Sequence, residues 1–211
     1  MDPLSMTTTT IASVVLSSSS GLRAYLPLFA LGIAVIAGVV PLEHGYAILT
    51  NPLVLTGLGA LSILEIVADK VPGVDHVSDV IHTVIRPIMG AVIFGNTQNL
   101  VSANGGAVGS VLAYVVGGAL AGGVHGAKAL ARPAVTATTV GMGNPVVSLL
   151  EDIAVIALVI LAIVVPVVAL ILLILFVLLF ALIIRWAWRR LRRRKQQKQM
   201  ANVAGTRTGV G

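Results

Sequence analysis

Residues 153–184 read IAVIALVILAIVVPVVALILLILFVLLFALII, 32 consecutive positions without a charged side chain. As one straight α-helix they would run about 48 Å, well past the roughly 30 Å hydrocarbon core of a bilayer. Pro166 stands near the middle of the run. The stretch therefore reads as two membrane-spanning helices, 145–165 and 167–187, joined by a tight apolar turn; one kinked, strongly tilted helix is the alternative. Either form sets the fold class as all-α, a polytopic transmembrane bundle.

Working outward, the chain is 57% hydrophobic and 10% charged with a mean hydropathy of +1.00, outside the range of water-soluble domains. Its 211 residues hold about six spans of roughly 20 residues and little else. The fourth span is expected over 107–127, where Gly109, Gly117-Gly118 and Gly122-Gly123 permit close helix contact. The third, 78–94, contains Pro87-Ile88-Met89-Gly90 and either crosses fully or dips in as a re-entrant segment. The second covers 52–68. The first, IASVVLSSSSGLRAYLPLFALGIAVIAGVVP over 11–41, is interrupted by its serines, Gly21, Arg23 and Pro27; Ser17–Gly21 reads either as a break at membrane depth or as a lead-in. The polar stretches 95–106 and 125–144 read as connections. Residues 1–10 are expected to be a disordered leader, 11–188 the membrane domain and 189–211 a basic tail.

Charge is split unevenly. Nine of the fourteen Lys and Arg residues lie from Arg185 onward, leaving five bases against all eight acids in the first 184 residues, a net of −3. The tail, preceded by Trp186 and Trp188, points to anionic lipid headgroups, and an acidic core argues against nucleic acid as a partner. Loops at 41–51, 95–105 and Pro166 hold no Lys or Arg, whereas Lys70, Lys128 and Arg132 fall on the side of the tail, so both termini are expected in the cytoplasm. Absence of cysteine excludes disulfides and thiolate chemistry. With no basic leader before Ile11–Leu16, no signal cleavage is expected.

The exception to this apolar background is Glu65–Arg86, EIVADKVPGVDHVSDVIHTVIR, with four acids, two histidines and two bases. Glu65 and Asp69, then Asp75 and Asp79, are one helical turn apart, and His82 follows three positions on. Carboxylates and imidazole at that spacing suit a proton relay or cation binding; Asp75, Asp79 and His82 are the candidate metal ligands, and a divalent metal ion is the cofactor they suggest. Arg23, the basic face His125/Lys128/Arg132 and the pair Glu151-Asp152 fall at the same side of their spans. With Arg86, the bases would bind an anion such as phosphate or pair with the acids, as Glu65–Lys70, Asp79–Arg86 or Glu151–Arg132. Asn144-Pro145 reads as a capped helix start. His44 is isolated in a loop. Gly-x-Ser-x-Gly, His-Glu-x-x-His and P-loop signatures are absent.

The segments SGLRAYLP (20–27), EIVADKVPGVDH (65–76) with Asp79, His82 and Arg86-Pro87, His125–Lys128, and NPVVSLLED (144–152) resemble an uncharacterised family of small bacterial integral membrane proteins, domain of unknown function 4126. The resemblance covers about residues 10–190. It implies a multi-span protein of the cell inner membrane and brings no established activity.

Three functional readings follow. The first is a small transporter or channel in which Glu65, Asp69, Asp75, Asp79, His82, Glu151 and Asp152 line an acid-rich cavity and handle a cation or protons. The second is an embedded enzyme or carrier for a phosphorylated lipid, held by His125, Lys128 and Arg132. The third is a structural or assembly protein whose charges only pair helices. So small a bundle also suggests a homo-oligomer, with the glycine-rich fourth span as its interface.

Overall fold

The computed structural model describes residues 3–40, 44–71, 74–101, 106–139 and 143–182, together with Arg185 and Arg189. Among them every regular element is helical: α1 Pro3–Ser20, α2 Leu26–Ile36, a 3-10 turn His44–Thr50, α3 Pro52–Ala68, α4 Val74–Val101, α5 Gly106–Thr139, α6 Asn144–Val164 and α7 Pro166–Leu182. Five of the seven α-helices carry proline in their first turn, where the missing N–H would have had no partner. Asn51 caps α3 by accepting from Leu53 N–H at 2.9 Å. α2 stops because Gly38 adopts φ 72°, letting Gly38 and Val39 N–H return to the Val35 and Ala34 carbonyls.

The chain reverses at Gly21–Tyr25. Thr8 and Leu16 of α1 share a cavity wall with Val39 and Leu31 around α2, so the two helices run antiparallel as a hairpin. Seven legs then alternate in direction. One end of the bundle gathers the hairpin turn, the C-terminal ends of α3 and α5 and the N-terminal halves of α4 and α6. At the other end lie Thr8, Val40, Tyr46, Thr97 and Pro166. α7 folds back along α6, since Phe180 packs beside Asn144 and Val147.

α1 sits between α4, α5 and α6. Its serines 13 and 17–20 are all buried, and most bond inside the helix: Ser13, Ser19 and Ser20 donate to the Thr10, Val15 and Leu16 carbonyls. The Ser17 hydroxyl instead lies 2.9 Å from both the Gly90 and the Gly117 carbonyl oxygens, at the closest approach of α4 and α5. There a Cβ on Gly117 would stand 2.5 Å from the Gly90 oxygen and one on Gly118 3.4 Å from that of Pro87. The apolar core joins Val15, Leu16, Leu28, Leu31, Ile93, Val155, Leu158 and Leu173. Three segments, Val77–Gln98, Gly106–Pro133 and Asn144–Val164, are long and apolar enough to cross a membrane; α2, α3 and α7 are shorter apolar helices.

Several expectations are corrected. Residues 3–10 are not a disordered leader but the first half of α1, where threonine hydroxyls bond within the helix, as Thr8 to the Leu4 carbonyl. The interrupted first span is a hairpin, so the start of α1 and the end of α7 fall at opposite ends of the bundle rather than on one side. Residues 95–101 and 125–139 continue α4 and α5, because amide and hydroxyl side chains there bond to neighbouring helices or back to the backbone. Asn144 does not cap α6; its side chain meets Thr136. The run at 153–184 breaks into two helices at Val165, and α4 passes unbroken through Pro87. Gly117, Gly118 and Gly122 face α4 within the chain.

Candidate functional site

The hairpin turn delivers Arg23 into the bundle with no exposed surface. Such a guanidinium needs carboxylates around it. Its Nε donates to Asp152 Oδ1 at 2.5 Å, Nη1 pairs with Asp69, and Nη2 donates to Ser148 Oγ at 2.9 Å. Asp152 also receives Lys70 Nζ at 2.6 Å. Asp69 ends α3 and is the hub: its Oδ2 accepts from Lys128 Nζ at 3.0 Å and Arg132 Nη2 at 3.0 Å besides Arg23. Lys128 in turn stands 2.8 Å from Glu151 Oε2 and 3.4 Å from the Leu22 carbonyl.

A second arm centres on Glu65. Both its oxygens accept from the Ala24 N–H, at 2.8 and 3.1 Å, which supplies a partner to a backbone group the turn leaves unpaired. Arg86 Nη2 donates to Glu65 Oε1 at 3.1 Å, and Arg86 Nη1 lies 2.6 Å from His125 Nδ1. The Thr83 hydroxyl donates to the Asp79 carbonyl at 2.8 Å, so its oxygen is left to accept from His125 Nε2 at 3.1 Å. His125 is thereby fixed as the neutral Nε2–H tautomer, with Nδ1 accepting from Arg86. Asp79 closes the ring, 2.6 Å from Arg132 Nη1 and 3.6 Å from Arg86 Nη1.

His82 is placed differently. Its Nδ1 lies 2.7 Å from the Ser78 carbonyl, an acceptor only, so Nδ1 carries the hydrogen. Nε2 is buried without a hydrogen-bond partner and lies 3.7 Å from Glu65 Oε1. The Tyr25 ring packs edge-on against the imidazole, centroids 5.7 Å apart.

Eleven of the twelve sequence-derived site residues therefore meet in one network: Arg23, Glu65, Asp69, Asp79, His82, Arg86, His125, Lys128, Arg132, Glu151 and Asp152. The side chain of Asp75 lies outside the described residues. Of the pairs expected, only Asp79–Arg86 forms; Glu65 pairs with Arg86, Glu151 with Lys128 and Lys70 with Asp152. Among the described residues, five bases, Arg23, Lys70, Arg86, Lys128 and Arg132, face five acids, so this part of the network is charge-balanced. Lys128 and Arg132, expected to hold phosphate, already face carboxylates. Asp79 and His82 turn to different partners rather than a common centre, and among the described residues no three His, Asp or Glu side chains converge as a metal site. Lys70, Ser148 and the Ala24 N–H belong to the network although the sequence reading left them out of the site. Ser148 was readable from its i, i+4 spacing to Asp152; the Ala24 amide carried no signal.

Apolar helices of spanning length packed around a buried ion network define the class: an all-α bundle with paired charges inside one end. Within that class the chain belongs to the family described as Domain of unknown function (DUF4126), whose model matches residues 10–186 and so takes in every residue of the network. Neither a curated protein nor a solved structure matches it.

Proposed function

We propose that the chain is a multi-pass membrane protein that passes protons through its buried network, as a small proton-coupled transporter or channel. The contact that carries this reading is His82 Nε2 against Glu65 Oε1: two buried titratable groups 3.7 Å apart, too far for a hydrogen bond, with no other partner for the nitrogen. A proton arriving there turns an unfilled contact into a charge-assisted hydrogen bond. It also weakens the hold of Glu65 on Arg86 and on the Ala24 N–H, which ties protonation to the hairpin turn. Asp79 and Lys70, partly exposed, are where the network nears the surface. Ionisable groups within a membrane interior are expensive and mark such pathways. With the basic tail in the cytoplasm, the network end is the cytoplasmic end and the start of α1 lies on the opposite side.

Reconstitution into vesicles under an imposed pH gradient, with the membrane potential clamped, tests the proposal. Wild-type protein should dissipate the gradient, and Glu65→Gln or His82→Ala should slow it by about a hundredfold, the scale of a lost proton-transfer group. Equal rates for wild type and empty vesicles would overturn it. The charge balance favours a second reading, a scaffold whose ions only join helices; that reading expects no flux, and recovery of stability when Asp79 and Arg132 are exchanged.

A further inference from the structure

At the end of the bundle away from the network, α1, α2, the 3-10 turn, α4 and the α6–α7 corner border a half-open cavity of about 230 Å³. Its lining mixes the hydroxyl groups of Thr8, Thr9, Ser13, Tyr46 and Thr97 with apolar groups such as Leu31 and Ile163, and none of its lining residues carries a charge at neutral pH. Four of these five hydroxyl hydrogens are already directed into the protein. Thr8 donates to the Leu4 or Ser5 carbonyl, Ser13 to that of Thr10 at 2.8 Å and Thr97 to that of Ile93 at 2.7 Å. Tyr46 donates to Thr97 Oγ1 or to the Ile93 carbonyl. What these four groups present to the cavity is oxygen lone pairs.

An uncharged wall excludes an ion, since a charge enters such a site only with a counter-charge. A mainly apolar lining favours hydrocarbon, and acceptors set in it favour a molecule that donates a hydrogen bond. The volume is that of roughly eight waters in the liquid, so the part of an occupant held inside is small. We infer that this cavity binds a small uncharged amphiphile with a hydrogen-bond donor at one end, an alcohol or phenol. The site is independent of proton movement through the network.

Photolabelling in lipid nanodiscs with a diazirine-bearing hexanol, mapped by mass spectrometry, tests this. Label should fall on the segments around Thr8–Ser13, Tyr46 and Thr97. Unlabelled 1-hexanol should displace it, each methylene from propanol upward strengthening competition roughly fourfold. Methyl pentyl ether, an isomer of hexanol that cannot donate, should compete about tenfold less well, the scale of one hydrogen bond. Ala12→Leu should fill the cavity and remove the label. Label spread over the outward faces without competition, or an ether that competes as well as hexanol, would overturn the assignment. The ether comparison needs only wild-type protein, so it decides the matter even if the filled variant does not fold.

Discussion

The α1–α2 hairpin turns inside the bundle at Gly21–Tyr25, whereas α6–α7 turns at Val165-Pro166 at the other end. In the first, Leu22, Arg23 and Ala24 are at most 1% exposed; in the second, Val164 is 67% exposed. The outer turn is self-sufficient, because proline needs no partner and Val165 and Ala169 N–H bond locally, to Leu161 and Val165. The inner turn is not. Its Ala24 N–H and Leu22 carbonyl are met by Glu65 and Lys128 from α3 and α5, and its guanidinium by α3 and α6. Placing a turn inside a bundle thus makes its backbone depend on distant side chains. It is this dependence that joins the hairpin to the site.

The largest blow to the contrast should come from Arg23→Ala. It takes one buried partner from Asp69 and one from Asp152, leaves a void, and should remove about 3–5 kcal/mol of stability, read as unfolding in one detergent. Arg23→Lys should recover only part, since an ammonium cannot match the fork that reaches Asp69, Asp152 and Ser148 together. Gly21→Ala should follow at about 1–3 kcal/mol, because its Cβ would meet the Ala121 carbonyl and come within 2.8 Å of Val124 Cβ. Pro166→Ala in the outer turn should fall to about 0.4–1 kcal/mol, mostly through a freer unfolded chain. Lys70→Ala should change stability least, about 0.2–1 kcal/mol, since its side chain is 35% exposed and Asp152 keeps Arg23. A Pro166→Ala loss as large as that of Arg23→Ala would erase the distinction between the turns.

Much of this was legible in the sequence. Pro52–Ala68 was read with its observed bounds, since apolar length and a leading Asn-Pro mark a helix unambiguously. The break near Pro166 and the convergence of charge at one end were also readable, the first from length, the second from alternating direction. The hairpin was not: serine, glycine and proline in a row signal a break, but whether the chain bends or reverses is decided by what packs against it. The helical ends 95–101 and 128–139 were hidden because polar side chains in a bundle can bond to neighbouring helices, which no local pattern reveals. Partners within the network escaped for a similar reason. Spacing along one helix suggested Glu65–Lys70, yet Glu65 is answered by Arg86 on the next helix and Lys70 by Asp152 from α6.

Arg23 and Asp152 are separated by 129 positions. At synthesis rates of about 5–20 residues per second, the arginine leaves the ribosome roughly 6–26 seconds before its partner exists. The first hairpin made is therefore the last that can be seated. Until α6 has been translated, the turn lacks the Asp152 and Ser148 partners of its guanidinium. A nascent chain arrested before Ser148 should still hold that turn within reach of water.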